Sequence, residues 1–404
     1  MLRTYVLCLA AAASLLAQTA NSILTGYITD PTGTLVPHAK VEFFESRTGQ
    51  RWTANANDTG SYTQPYLPAG NYNLQITAPG FAVYAVKSVA VPANATIRID
   101  VAMRLATTQE RIEITAEQAQ LQTDRSDLSR SLPAKQLLEL PLATRNFQEL
   151  ASILPGVTPT SDVSTTLQNP MDTRAYQANG QLRSSNNSMI DGTDNNDPLI
   201  GVTINVPPVE AISEVNMMLG NFSADYGRSG GAVSSVVTRS GTNNLHGSLY
   251  EFHQNDRLRA RNFFNVAPQP KPNLTRNQYG ATLGGPLVKD RTFLFGFYQG
   301  FLQRQAQTTT TTVPDPAWRT GDFSRVPQLN LFDPSTGNRD GTGRTPFAGN
   351  VIPASRIHPV SRAVVPELIQ PNQPGALENN LINNVPSRVR GHQFGIKADH
   401  RLRR

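Results

Sequence analysis

The sequence holds a single cysteine, Cys8, inside an apolar run near the N-terminus. A chain that loses this run has no disulfide, no cysteine-based zinc site and no cysteine nucleophile. Charge is sparse too: 16% of residues are Asp, Glu, Lys or Arg, and the formal net charge of +6 comes from scattered cations. Nucleic-acid binding needs a basic stripe or a recognition motif, and neither is present. Arg401, Arg403 and Arg404 read as a solvated end. No later stretch approaches the roughly 20 apolar residues of a membrane helix, so membrane entry is open only to strands. The six histidines show no metal-ligand spacing, and there is no Gly-x-Ser-x-Gly elbow. Gly227-Arg-Ser-Gly-Gly231 lacks the Lys-Ser/Thr ending of a phosphate loop. These gaps argue for a protein that is not an enzyme and that carries no cofactor and no metal.

What is abundant is turn chemistry. Glycine and proline number 29 each among 404 residues, which favours β-structure over helices. Arg3 followed by the apolar stretch Tyr5 to Leu16 and then small residues up to Ser22 reads as a secretory signal, residues 1–22. Leu7 stands where a lipid-anchor signal wants a small residue, so Cys8 is not expected to carry a lipid. Residues 23–105 are short strand candidates between turn signals: Gly26 to Gly33 gives a strand and a turn, Ala39 to Phe44 alternates as the next strand, Asp58 to Tyr62 and Leu67 to Leu74 mark two more turns, and Ile97, Ile99, Val101 and Met103 alternate as a last strand. This spacing suits a small β-sandwich. Residues 106–125 read as a linker, in which Glu110-Arg-Ile-Glu-Ile-Thr115 is a short extended segment.

Residues 126–240 read as an α+β region. Leu137, Leu138 and Leu140 suit one short helix, and Phe147, Leu150, Ala151 and Leu154 line one face of a second. Asp191, Asp194 and Asp197 do not match the alternating ligands of a calcium loop, and turn chemistry is expected of them instead. The run from Glu210 to His253 then joins a helix-like start, a glycine hinge at Gly227, Gly230 and Gly231, a strand of small and β-branched residues from Ala232 to Thr238, and a turn at Gly241.

Beyond it, residues 241–404 carry amphipathic strands. Ser248, Tyr250 and Phe252 alternate with Leu249, Glu251 and His253. Tyr279, Ala281 and Leu283 share a face, as do Phe293, Phe295, Phe297 and Phe301, and as do Phe394, Ile396 and Ala398. A soluble sheet would bury such rings, whereas a membrane barrel turns them to lipid. Connections alternate in length: Gln254 to Arg276 is long, the Gly284 to Arg291 connection is short, and Arg304 to Arg390 is very long. That order matches the short periplasmic turns and long outer loops of outer-membrane barrels, so the rings are expected to face lipid.

Three ordered motifs carry a family resemblance: Glu210-Ala-Ile-Ser-Glu-Val-Asn216, Asn221 to Gly231, and Thr238 to Gly247. They resemble the plug-to-barrel junction of TonB-dependent outer-membrane receptors of the Oar-like kind, and the resemblance runs from about Ile23 to the C-terminus. It implies a mainly β chain: a transthyretin-like, carboxypeptidase regulatory-like β-sandwich, an α+β plug domain, and the first few antiparallel strands of an incomplete outer-membrane β-barrel. About four barrel strands stand where plugged transporters close with about 22, so the sequence is expected to be a fragment or a truncated reading frame. The resemblance also implies that Glu110, Ile112, Glu113, Ile114 and Thr115 contact the energising protein TonB by strand addition. The residues alone fit a last strand or tether of the sandwich equally well.

The leading expectation is therefore an outer-membrane receptor with its N-terminal domain in the periplasm. It would import an unidentified solute, with carbohydrate as one candidate class, and its partners would be the TonB complex and outer-membrane lipid but no nucleic acid. The alternative is an outer-membrane surface or adhesion protein using the sandwich and loops for carbohydrate or protein contact without transport.

Overall fold

In a computed structural model, residues 21–106, 111–115, 127–160, 169–261, 271–326, 328–373 and 375–402 are described. Residues 1–20 of the expected signal, and Glu110, lie outside them, whereas Asn21 and Ser22 open the first strand. Period-two alternation builds the first layers: β1 (Asn21–Thr29) buries Ser22, Leu24, Gly26 and Ile28 on one face. It is joined by β2 (Lys40–Glu45), β3 (Arg51–Asn55), β4 (Ser61–Pro68), β5 (Gly70–Thr77), β6 (Val83–Val91), β7 (Thr96–Arg98), β8 (Val101–Ala102) and β9 (Arg111–Thr115). One sheet runs β4-β1-β7, with β8 also on β1; the other runs β3-β2-β5-β6-β9. Between them Leu24, Ile28, Phe43, Leu74 and Ile76 form a core, with Tyr62 and Tyr72 inside it. The two tyrosines keep their hydroxyls satisfied by donating to Ile99 O and Pro68 O, both at 2.7 Å. Gly26 is required by packing, because a Cβ there would meet Ile99 O at 1.9 Å.

The next layer is a five-stranded sheet ordered β10-β15-β16-β13-β14. Its strands are β10 (Ser129–Pro133), β13 (Asn187–Ile190), β14 (Thr193–Asp194), β15 (Ile212–Met218) and β16 (Val233–Thr238); β11 (Val157–Pro159) pairs separately with β12 (Tyr176–Ala178). The two expected helices are short: α1 (Ala134–Glu139) buries Leu137, and a 3-10 helix (Phe147–Ile153) buries Phe147, Leu150 and Ala151. Together with Leu132, Ile212, Val215 and Val236 they make a second core.

The helix-like start expected at Glu210 is corrected. Only Val209–Ala211 turns, as a single 3-10 turn, and the chain then runs as the interior strand β15. The second core covers one of its faces and the loop after β6 meets the other, so it lacks the apolar-polar alternation that marks a half-exposed strand.

Four strands follow in one open sheet, β17 (His246–Asn255), β18 (Leu274–Val288), β19 (Thr292–Thr311) and β20 (Leu381–His400), each beside its neighbour in sequence. β18 spans 15 residues, and β19 and β20 span 20 each. These exceed the roughly 9–11 residues that cross a bilayer. The expected short connection from Gly284 is shorter still, since β18 runs on to Val288. The loop expected from Arg304 begins only after Thr311.

The expected orientation of the rings holds for two strands, divides on β17 and fails on β19. Tyr279, Leu283, Phe394 and Ile396 point outward. On β19, however, Phe293, Phe295 and Phe301 are buried, and Leu294 and Tyr298 take the exposed side. On β17 Tyr250 turns inward, while Phe252 of the same row is exposed and so is Leu249, at 87%, from the other row. The inner surface of these strands is filled with protein, so it accepts rings; the outer surface needs only apolarity, which leucine supplies.

The chain divides into two compact units. One comprises Met1–Glu251, Gln278–Phe301 and Gly391–Arg404; the other comprises Phe252–Asn277 and Leu302–Arg390. The second unit carries the long loop as ordered turns. There Arg356 holds Asp333 through a two-pronged pair at 2.8 and 2.7 Å, and Arg319 Nη1 donates to Leu368 O at 2.9 Å.

Candidate functional site

Of the expected TonB-contact segment, residues 111–115 are the edge strand β9. It lies parallel to β6 in the register Val83 to Arg111 through Lys87 to Thr115. Tyr84 is thereby opposite Ile112, and Val86 opposite Ile114. Glu113 is exposed and pairs with Lys87 Nζ at 2.5 Å. β9 closes the sheet order, so its far edge has no strand on it among the described residues. An unpaired edge is a template for an added strand.

Between sandwich and plug the sheet strand β15 presents polar side chains to the loop that follows β6. Glu214 is buried and its carboxylate is shared. Oε1 accepts from Ser131 Oγ of β10 at 2.5 Å, and Oε2 accepts from the backbone N–H of Ala93 at 3.2 Å. Asn216 Nδ2 donates to Ala93 O at 2.9 Å, and Asn94 Nδ2 donates to Ser235 Oγ of β16 at 2.8 Å. The same loop is tied back to β1, where Ser22 Oγ accepts from Ala95 N at 3.1 Å and Ile23 N donates to Ala95 O at 2.8 Å. Burial pushes the Glu214 carboxyl above its ordinary 4.5, against the lowering effect of the Ser131 and Ala93 hydrogen bonds. One carboxylate thus joins the edge strand β10, the plug sheet and the sandwich.

A second seam joins the plug to the inner face of the strands. Lys397 of β20 reaches Asp191 Oδ1 at 3.0 Å, and Asp191 also accepts from Thr238 N at 3.0 Å and Thr238 Oγ1 at 2.5 Å. Gln393 Nε2 donates to Asn205 Oδ1 at 2.6 Å. Within the plug, half-buried Arg145 and buried Glu210 form an ion pair. The other two aspartates act in turns: Asp194 accepts from Asn196 N at 3.0 Å and Asp197 from Leu199 N at 2.8 Å.

None of the four hinge glycines has a left-handed backbone. Gly227 has open space where a Cβ would stand, and Gly230 is nearly as open. Gly231 and Gly241 are fixed by close approach instead. A Cβ at Gly231 would meet Asn186 Oδ1 at 2.4 Å, and one at Gly241 would meet Leu294 O at 2.4 Å and Gly285 O at 2.6 Å. In the sequence Glu214 and Asn216 stand out only as members of the Glu210–Asn216 motif, without a role of their own, and Lys397 does not stand out. The only available signal was Glu214-Val-Asn216 set among Ile212, Met217 and Met218, since the groups they meet lie far away in the chain.

Comparison with known proteins places two family models on the chain. The outer membrane beta barrel domain matches residues 237–404, and the carboxypeptidase regulatory-like domain matches residues 23–104. The TonB-dependent transporter Oar of Myxococcus xanthus is 29% identical over 264 residues, a match covering 62% of this chain and 24% of that one. The chain therefore spans about a quarter of the length of this curated relative. Among solved structures, the siderophore receptor PirA of Acinetobacter baumannii aligns with a TM-score of 0.34 at 19% identity, covering 46% of this chain and 30% of that one. The outer membrane transporter YddB of Escherichia coli aligns with a TM-score of 0.37 at 15% identity, covering 46% and 27%.

Proposed function

We propose that this chain is part of a TonB-dependent outer-membrane receptor, a reading supported by the curated relative and the two domain matches, and that it takes part in energised import of a solute across the outer membrane. The solute binds from outside, and a pull on the periplasmic side of the plug passes it inward. The observation that carries this reading is the seam from Lys397 to Asp191 and from Gln393 to Asn205. It seats a plug sheet on the inner face of strands whose outer face exposes Leu249, Leu283, Phe394 and Ile396. An apolar outer face with protein filling the inner one is what a plugged barrel wall requires.

The TonB contact is assigned to Glu110, Ile112, Glu113, Ile114 and Thr115. Strand addition transmits a pull through backbone hydrogen bonds with little demand on side chains. β9 offers its outer edge for this, or leaves β6 to do it. The linkage from β9 through the intervening chain to β10 would then deliver the pull to β15. The hinge role of Gly227 and Gly230 belongs to the same reading, as does energy drawn from the inner-membrane proton gradient. No bond-making chemistry is assigned.

The test is uptake by cells expressing a full-length receptor, with residues 110–115 intact or replaced by a Gly-Ser stretch. Candidate solutes, carbohydrates among them, are supplied with and without an uncoupler. Uptake abolished by both treatments supports the reading; uptake indifferent to both overturns it.

A further inference from the structure

We propose that the cleft between the sandwich and the β18–β19 turn binds the headgroup of an anionic phospholipid in the periplasm-facing leaflet. The proposal rests on the outer-membrane reading above and adds a ligand class to it.

The cleft, about 1040 Å³, is lined on one side by Arg51, Trp52 and Tyr66 of the sandwich. The other side is the short turn with Lys289 and Arg291 and the end of β20 with Arg401. Four cations thus meet one carboxylate, Asp290, which already accepts from Asn243 Nδ2 at 2.7 Å. Arg51 lies over the Phe44 ring at 5.1 Å. Lys289, Arg291 and Arg401 are exposed and make no ion pair among the described residues. Uncompensated like charges on one wall repel one another, and an anion relieves that repulsion.

Two further features point to a lipid rather than a soluble anion. Leu402 lines the same cleft and continues the outward row of Phe394 and Ile396 on β20, and Val288, exposed at the end of β18 just after the exposed Leu287, lines it too, so cations and an apolar surface suited to acyl chains meet at one rim. Tyr66 is the other. Pro65 and Tyr66 form a bulge in β4, because the pairing with β1 jumps from Leu24–Gln64 to Ser22–Leu67. The bulge holds Tyr66 at φ +60°, a left-handed conformation for a side chain that is 75% exposed. Bulges re-aim side chains beside sites, and an amphipathic ring is suited to headgroup level.

The test is native mass spectrometry of the full chain in neutral detergent, with phosphatidylglycerol and phosphatidylcholine competing at equal concentration. Phosphatidylglycerol should be retained about five-fold over phosphatidylcholine, as expected for a few cations at a headgroup. Changing Arg51, Lys289, Arg291 and Arg401 together to Gln should remove the preference. The same change at the exposed loop residues Arg257, Arg259, Arg339 and Arg362 should leave it. Tyr66→Gly, which suits the left-handed backbone and so preserves the fold, should weaken retention about two-fold. Equal retention of both lipids, an unchanged cleft variant, or displacement of phosphatidylglycerol by equimolar inorganic phosphate overturns the proposal. The receptor reading fails separately, if β17–β20 remain protease-sensitive after reconstitution into vesicles.

Discussion

At the scale of single residues, Glu214 is the side chain whose chemistry matters most. Its pKa is raised, so between 4.5 and that raised value the folded chain holds a proton that the unfolded chain has released. Stability at this junction is therefore greatest at acidic pH and falls as pH rises through that window. Glu214→Gln, which cannot ionise, should flatten the dependence; hydrogen exchange at the Ala93 and Asn94 amides across pH 4.5 to 8 reads it directly. Glu214→Ala leaves the Ala93 N–H buried without its acceptor, at a cost of about 1–3 kcal/mol, and should speed exchange there at every pH.

Asp333 behaves in the opposite sense. Arg356 beside it holds its pKa down at about 2, with Ser335 N–H adding to the effect. The Asp333–Arg356 clasp should hold at neutral pH and above 3.8, and loosen only as pH falls towards 2. Arg356→Gln should open the loop to proteolysis at pH 7, and an unchanged cleavage pattern would count against the clasp.

Among elements, Gly241 fixes how the plug hands over to the strands, because its Cα lies against the backbone carbonyls of Leu294 and Gly285. Gly241→Ala must push β18 and β19 aside, so a loss of about 1–3 kcal/mol is expected from overpacking; Gly227→Ala, with open space around it, should cost much less. Thermal unfolding of the two variants in parallel separates close approach from hinge flexibility. In the sandwich, Phe43→Ala removes a fully buried ring from between two sheets and should cost about 3–5 kcal/mol.

Much of this scale was legible in the chain. Alternation in Ile97 to Met103 and the turn at Asp58-Thr-Gly60 marked the sandwich, because its strands have one face in the core and one in solvent. β15 was not legible, since Glu214 and Asn216 are buried polar residues that resemble the wet side of a helix until their partners are seen.

For the whole molecule, the open sheet β17–β20 carries an apolar outer face and a protein-packed inner one. Changing Leu249, Leu283 and Ile396 together to Asn should impair membrane assembly without disturbing the inner seam, as polar groups facing lipid lose their hydrogen-bond partners. Fractionation of cells expressing the variant in a full-length receptor would show it lost from the outer-membrane fraction. Changing Lys397 to Ala should do the reverse, leaving membrane assembly intact while freeing Asp191 at the seam.

The order of parts along the chain, the turn positions and the period of each strand followed from the sequence, because they depend on local sterics and on which residues tolerate water. The sense of each row did not. Phe293 and Phe295 alternate as cleanly as Phe394 and Ile396, yet the first pair is buried and the second exposed. Alternation fixes that two faces differ, whereas only the bodies packed on either side fix which of them meets lipid. In the same way a carboxylate in β15 could be seen from the sequence, but its hydrogen bonds to Ser131 and to Ala93 arise only when segments distant in the chain fold against one strand.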